Sequence, residues 1–188
     1  GDRGNGGKIP GKVDLHSRDV EKLTASEGAF LALKTDGTVV AWGNASAGGE
    51  IPRRFRDQLT GIHHIHAANY GFVAISEDEA FSWGSPYIDN QKVALPKGHS
   101  VKKVVSSAEA FAVLTNQGSV LTWGHEGLGG KPMKSIRDDL RSGIKDLAAT
   151  YGSMAAITDD GDLLAWGDSE FGGRTERFTP AVPASHFG

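Results

Sequence analysis

Few side chains in this sequence have the type and spacing that chemistry requires. The densest group is His63, His64 and His66. Imidazoles ligate metals and carry protons near neutral pH. On an extended backbone alternate residues share a face, so His64 and His66 sit close enough to share a zinc ion. Spacing indicates no third ligand, because His16, His99, His125 and His186 are scattered. Asp159, Asp160 and Asp162 resemble the start of a calcium loop, but its later glutamate is missing, and turn chemistry accounts for them better. Arg53, Arg54 and Arg56 surround Phe55 and read as a solvated helix face or, second, a partner contact. With no cysteine there is no thiolate nucleophile, disulfide or thiolate metal site. No Gly-x-Ser-x-Gly, Ser/His/Asp spacing or isolated carboxylate pair appears, so no enzyme is expected, and neither a metal nor a cofactor.

Composition narrows the classes further. Glycine supplies 26 of 188 residues, about twice its ordinary share, but without the strict period of collagen. The 20 Lys and Arg against 23 Asp and Glu leave a net charge of −3, which gives no built-in attraction for phosphate backbones and argues against a nucleic-acid partner. No apolar run is long enough to span a bilayer. Gly1–Lys8 is polar and has no secretory pattern. A soluble protein is expected, cytoplasmic or organellar, with association to a membrane complex through protein contacts left open. The length suits one domain with a real core.

The four tryptophans expose what holds these residues. Trp42, Trp83, Trp123 and Trp166 are spaced by 41, 40 and 43, and each is followed by glycine: Gly43, Gly84, Gly124 and Gly167. Twelve residues upstream stands Phe30, Phe111 or Met154; in the second copy Phe72 stands eleven upstream, so one residue is missing there. Repeats run over about 1–42, 43–83, 84–123 and 124–166, with a partial one at 167–188, all in a single domain. Gly1–Pro10 parallels Gly43–Pro52, so the chain reads as cut from a longer array or bounded by cleavage inside one.

Each copy predicts three short antiparallel strands, in the first copy near 20–26, 28–35 and 38–43. Two apolar runs flank a turn centred on Asp36-Gly37, Gln117-Gly118 or Asp160-Gly161, and such a glycine takes positive φ without steric cost. The second copy has Glu77-Asp78-Glu79, which predicts a tighter or strained turn. Middle strands such as Phe30–Leu33 are almost wholly apolar, as sheets covered on both faces require. The connections carry Gly48-Gly49, Gly129-Gly130 and Gly172-Gly173, but Ser85–Pro96 abandons that pattern. Phe55 and Leu59, like Ile136 and Leu140, lie four apart and predict short helices closed by Gly61 and Gly143.

An apolar strand, a glycine hairpin, a terminal Trp-Gly and a downstream Gly-Gly together resemble the RCC1 (regulator of chromosome condensation 1) repeat, in its short three-stranded form. The resemblance covers essentially the whole chain. It implies an all-β, propeller-like array of four three-stranded blades, open or part of a larger ring. The tryptophans then read as wedges between sheets, each burying roughly 150–250 Å². Trp83 is expected to matter less than Trp123, because its repeat lacks both the turn glycine and the Gly-Gly pair.

The function expected from this resemblance is a non-catalytic protein-interaction or scaffold module. The alternative is a structural subunit bridging neighbours in a large complex. Exchange on a small GTPase, the activity of the family's founding member, is disfavoured: that activity relies on an inserted wedge, and repeat lengths leave no room for one. Where a repeat abandons its own pattern, packing has stopped dictating the residue. Tyr87 and Ile88 in the divergent connection are therefore the candidate partner contacts, with Arg53, Arg54 and Arg56 bordering them. A local cover over a bare sheet edge is the equal alternative for Tyr87 and Ile88.

Overall fold

The computed structural model describes residues 4–9, 11, 19–174 and 176–179. Its fold is nearly all β, with four antiparallel sheets stacked along the chain and not closed into a ring. Blade 1 contains β1 (Val20–Ala25), β2 (Ala29–Lys34) and β3 (Val39–Gly43). Blade 2 contains β4 (His64–Ala68), β5 (Gly71–Ile75), β6 (Glu79–Gly84) and β7 (Lys92–Ala94). Blade 3 contains β8 (Val101–Ser106), β9 (Ala110–Thr115) and β10 (Val120–Gly124). Blade 4 contains β11 (Ile144–Ala149), β12 (Ser153–Thr158), β13 (Leu163–Gly167) and β14 (Glu176–Phe178). The middle strand always lies between the other two, and Phe30, Phe72, Phe111 and Met154 each pair directly with their blade's tryptophan.

The fourth strands of blades 2 and 4 correct the three-strand expectation. In blade 3 the outer edge is closed by the helix α1 (Lys134–Asp139), where the Val120 N–H donates to the Leu140 carbonyl. In blade 1 the 3₁₀ turn Arg53–Phe55 brings Phe55 and Leu59 against Val39. The divergent connection after Trp83 builds no helix, so its own backbone pairs with β6 instead. In blade 4, β14 is clamped by Arg177, whose Nε lies 2.7 Å from the buried Asp162 carboxylate. The Asp159–Asp162 run is thus a hairpin turn with a strand anchor.

Three apolar seams hold the sheets together. The first joins Leu31 and Leu33 to Ile65, Phe72 and Trp83; the second joins Val73 and Ile75 to Val104, Phe111 and Trp123; the third joins Ala112 and Leu114 to Leu147, Met154 and Trp166. Strands β5 and β9 are buried at every residue because a sheet covers each face. The indole N–H groups of Trp83, Trp123 and Trp166 reach back to the element before their own blades. Trp83 donates to the Gly48 carbonyl at 2.9 Å and Trp166 to the Gly129 carbonyl at 3.0 Å. Trp123 has no Gly-Gly behind it and donates to the Ser82 hydroxyl at 2.9 Å. The Gly-Gly pair missing from repeat 2 is therefore the one behind Trp123, not the one behind Trp83, and both indoles are buried and hydrogen-bonded.

Gly48 shows why the connection needs glycine. Its φ is +97°, and a Cβ there would lie 2.5 Å from the Phe72 ring. Gly6 repeats this against Phe30 at 2.7 Å, which matches its alignment with Gly48. The second hairpin is tighter, as expected, but uses no left-handed residue: the Ser76 N–H closes directly onto the Glu79 carbonyl, and the Ser76 hydroxyl accepts from the Glu79 N–H. Among the described residues no helix is long and apolar enough to cross a membrane.

Candidate partner-binding site

The divergent connection leaves Trp83 at one end of blade 2 and descends its outer rim. Its first residues are tied inward, with the Ser85 N–H on the Tyr70 carbonyl and the Ser85 hydroxyl 2.5 Å from a Glu109 carboxylate oxygen. Tyr87 then points to solvent at 62% exposure, its ring edge-on to His125 with centroids 5.0 Å apart. Ile88 turns the other way and is fully buried. Its Cδ1 lies 2.5 Å from where a Cβ on Gly71 would stand, in the seam with Val73 and Trp123. Ile88 is therefore a packing residue and, contrary to expectation, not a partner contact. Without a Gly-Gly turn to close the backbone, an aliphatic side chain fills the space against the sheet, which is the cover reading. Tyr87 remains a surface residue.

Asp89 and Asn90 follow with φ of +57° and +39°, a left-handed pair that swings the chain over the rim. There it meets the segment entering blade 2. The Arg54 guanidinium donates to the Asn90 carbonyl and lies 4.9 Å from the Phe55 ring centroid. Lys92 reaches Gln58 Oε1 at 3.3 Å and Glu79 at 2.9 Å. Phe55 is buried edge-on against Phe81, which gives this junction a rigid floor. Between the two segments runs an open groove of about 460 Å³ lined by Arg54, Gln58, Asp89, Asn90 and Lys92. The two candidate segments do meet, but through Arg54 and Asn90, not through Tyr87 or Ile88. Arg56 lies further along and pairs with Glu50 at 3.1 Å, while Arg53 is exposed on the same turn. The lining residues 89–92 escaped the sequence because backbone reversal, not residue type, brings them to Arg54.

The histidines separate. His63 is exposed, His64 half-buried, and His66 stands in the seam between blades 2 and 3. The Ser106 hydroxyl donates to the Ala67 carbonyl, so His66 Nε2, at 3.1 Å, is the donor to that hydroxyl oxygen. Burial pushes the His66 pKa down to about 4, helped by the charges of His64 and Lys22. His63 instead lines a small cavity of about 190 Å³ with Glu77, Asp78 and His99. His99 Nδ1 is engaged there by Thr115 and Ser119 at 3.1 and 3.2 Å. Among the described residues no group of three or more His, Asp or Glu could hold a metal; His16 and His186 lie outside them.

Residues 144–172 match the family model described as the Regulator of chromosome condensation (RCC1) repeat. Yeast RCC1 (Prp20), solved with Kap60, superposes with a TM-score of 0.60 at 17% identity, over 82% of this chain and 45% of that one. Prp20p from Saccharomyces cerevisiae gives 0.59 at 18%, over 86% and 50%, and human WBSCR16 gives 0.52 at 18%, over 85% and 51%. The chain spans about half the length of these structures. No curated protein matches its sequence. Its fourth blade thus matches the RCC1 repeat model, and the blade array is similar in fold to the RCC1 structures.

Proposed function

We propose that this chain is a non-catalytic module that holds a protein partner on the rim and loops of a rigid blade array. The groove between Arg54 and Asn90 carries this reading. It is built where the repeat abandons its own pattern, its floor is a buried aromatic pair, and its walls carry two cations, Arg54 and Lys92. Such a surface is preorganised, so binding does not have to order it. A net charge of −3 favours a protein over a nucleic acid as partner.

A second reading, a subunit bridging neighbours in a large assembly, is favoured by blade 4, whose forward face leaves Ile157 and Leu163 exposed. Exchange on a GTPase is not favoured, because the strands of each blade are joined by tight turns with no inserted wedge among the described residues. Gel filtration of native extract tests the module. The wild-type protein should co-elute with a partner, and Arg54→Glu with Lys92→Glu should release it while the melting temperature holds. Free elution of the wild-type protein, or co-elution unchanged by the substitutions, would defeat the rim reading.

A further inference from the structure

The fold gathers to one face the turns after the first strands and the starts of the connections. Backbone bonds tie them in pairs: Asn44 to Gly28, Ser85 to Tyr70, His125 to Glu109 and Asp168 to Gly152. Among the described residues, segments 26–29, 44–48, 68–71, 84–88, 107–110, 125–128, 149–153 and 168–172 lie on this face, with Asn5 beside Gly28. They include Glu27, Glu109, Glu126, Asp168 and Glu170, and no lysine or arginine. Lys131 reaches in from outside and neutralises Glu126 at 2.7 Å. In a chain with 20 Lys and Arg, that segregation is a product of the fold.

The same face carries exposed aromatic rings. Tyr87 is 62% exposed, Tyr151 48% and Phe171 41%. Tyr151 and Phe171 lie 5.4 Å apart by centroid. The neighbouring Tyr151 and Glu27 push the Tyr70 pKa up to about 12, so its hydroxyl stays protonated. Phe171 covers Gly152 as Ile88 covers Gly71, but no such packing against a sheet explains Tyr87 and Tyr151. A backbone ladder joins the turn tips, Glu27 to Asn69, Tyr70 to Ala108 and Ala108 to Tyr151, with a different residue in each copy. Apart from the rim groove, then, a second surface offers flat π faces ringed by carboxylates.

We propose that this turn face docks an arginine-bearing segment of a protein partner. A guanidinium is planar, stacks on exposed rings and pairs with carboxylates at the same time; an ammonium gains less from the rings. Phosphate-rich partners are repelled by the same charges.

Fluorescence anisotropy of a labelled oligo-arginine peptide with the purified chain tests this, with oligo-lysine and oligo-glutamate as comparisons. Oligo-arginine should bind most tightly. Glu27→Gln with Glu170→Gln, and separately Tyr87→Ser with Tyr151→Ser, should each weaken it by about tenfold or more. Tyr151→Phe keeps the ring and should retain binding. Asp36→Asn with Asp160→Asn, on the hairpin turns of the opposite face, should change nothing. The proposal fails if oligo-arginine does not bind, if oligo-lysine binds equally and the tyrosine substitutions have no effect, or if the Asp36 and Asp160 substitutions weaken binding as much. All substituted positions are surface residues, and an unchanged melting temperature confirms that each variant is folded.

Discussion

Trp83 is fully buried and its N–H is satisfied by the Gly48 carbonyl, whereas among the described residues the buried N–H of Trp42 has no partner, and Leu23, at the place in blade 1 that Ile65 holds in blade 2, is 57% exposed. Removing a large, well-packed aromatic costs roughly 3–5 kcal/mol. Trp83→Ala should fall in that range, with Trp123→Ala close to it and Trp42→Ala lower by about 1 kcal/mol. Denaturant melts of the three variants give the order, and a Trp42 loss equal to that of Trp83 would contradict it. His66 supplies a pH dependence. Its folded pKa is depressed to about 4 from an ordinary 6.5, so between those values the unfolded chain binds more protons. Stability contributed by neutral His66 is present above pH 6.5 and falls as the pH drops toward 4. Melting temperatures recorded across that range should decline, and His66→Asn should flatten the slope. An unaltered slope in the variant would assign the acid sensitivity elsewhere.

The connections are the elements that vary, and their variation has structural consequences that can be measured. After Trp83 the helix-forming pattern is lost, β7 pairs with β6, and Ile88 drops into the second seam. Ile88→Ala should therefore cost about 2–5 kcal/mol, the range for emptying a buried aliphatic site, while Tyr87→Ser leaves the melting temperature within error. If both variants melt alike, Ile88 is not the cover that its burial implies. The element boundaries were legible in the sequence because they follow local rules: Asp-Gly turns, alternating apolar runs, and Phe55 four residues from Leu59. The fourth strands were not. Lys92–Ala94 and Glu176–Phe178 have weak patterns of their own and become strands through the open edge of a neighbour.

At the scale of the molecule, the array has two unequal kinds of blade. Blades 2 and 3 are covered on both faces, while blade 4 exposes Ile157 and Leu163 at positions where blade 3 buries Leu114 and half-buries Val120. Exposed apolar patches of this sort drive association. Light scattering should show this chain self-associating as concentration rises, and Ile157→Glu with Leu163→Glu should suppress that without lowering the melting temperature. A chain that stays monomeric at every concentration would mean that the patch is too small to matter. By itself the sequence determined the repeat, its β character and the wedge role of the tryptophans, because spacing of large apolar residues and turn glycines is a local, periodic signal. The tertiary structure alone decided which side of the connection Ile88 faces, which tryptophan depends on which glycine pair, and that Glu27, Tyr87, Tyr151 and Glu170 share one face. Those depend on contacts between residues about forty or more apart, where the stacking of one blade on the next, not the neighbouring sequence, sets direction and distance.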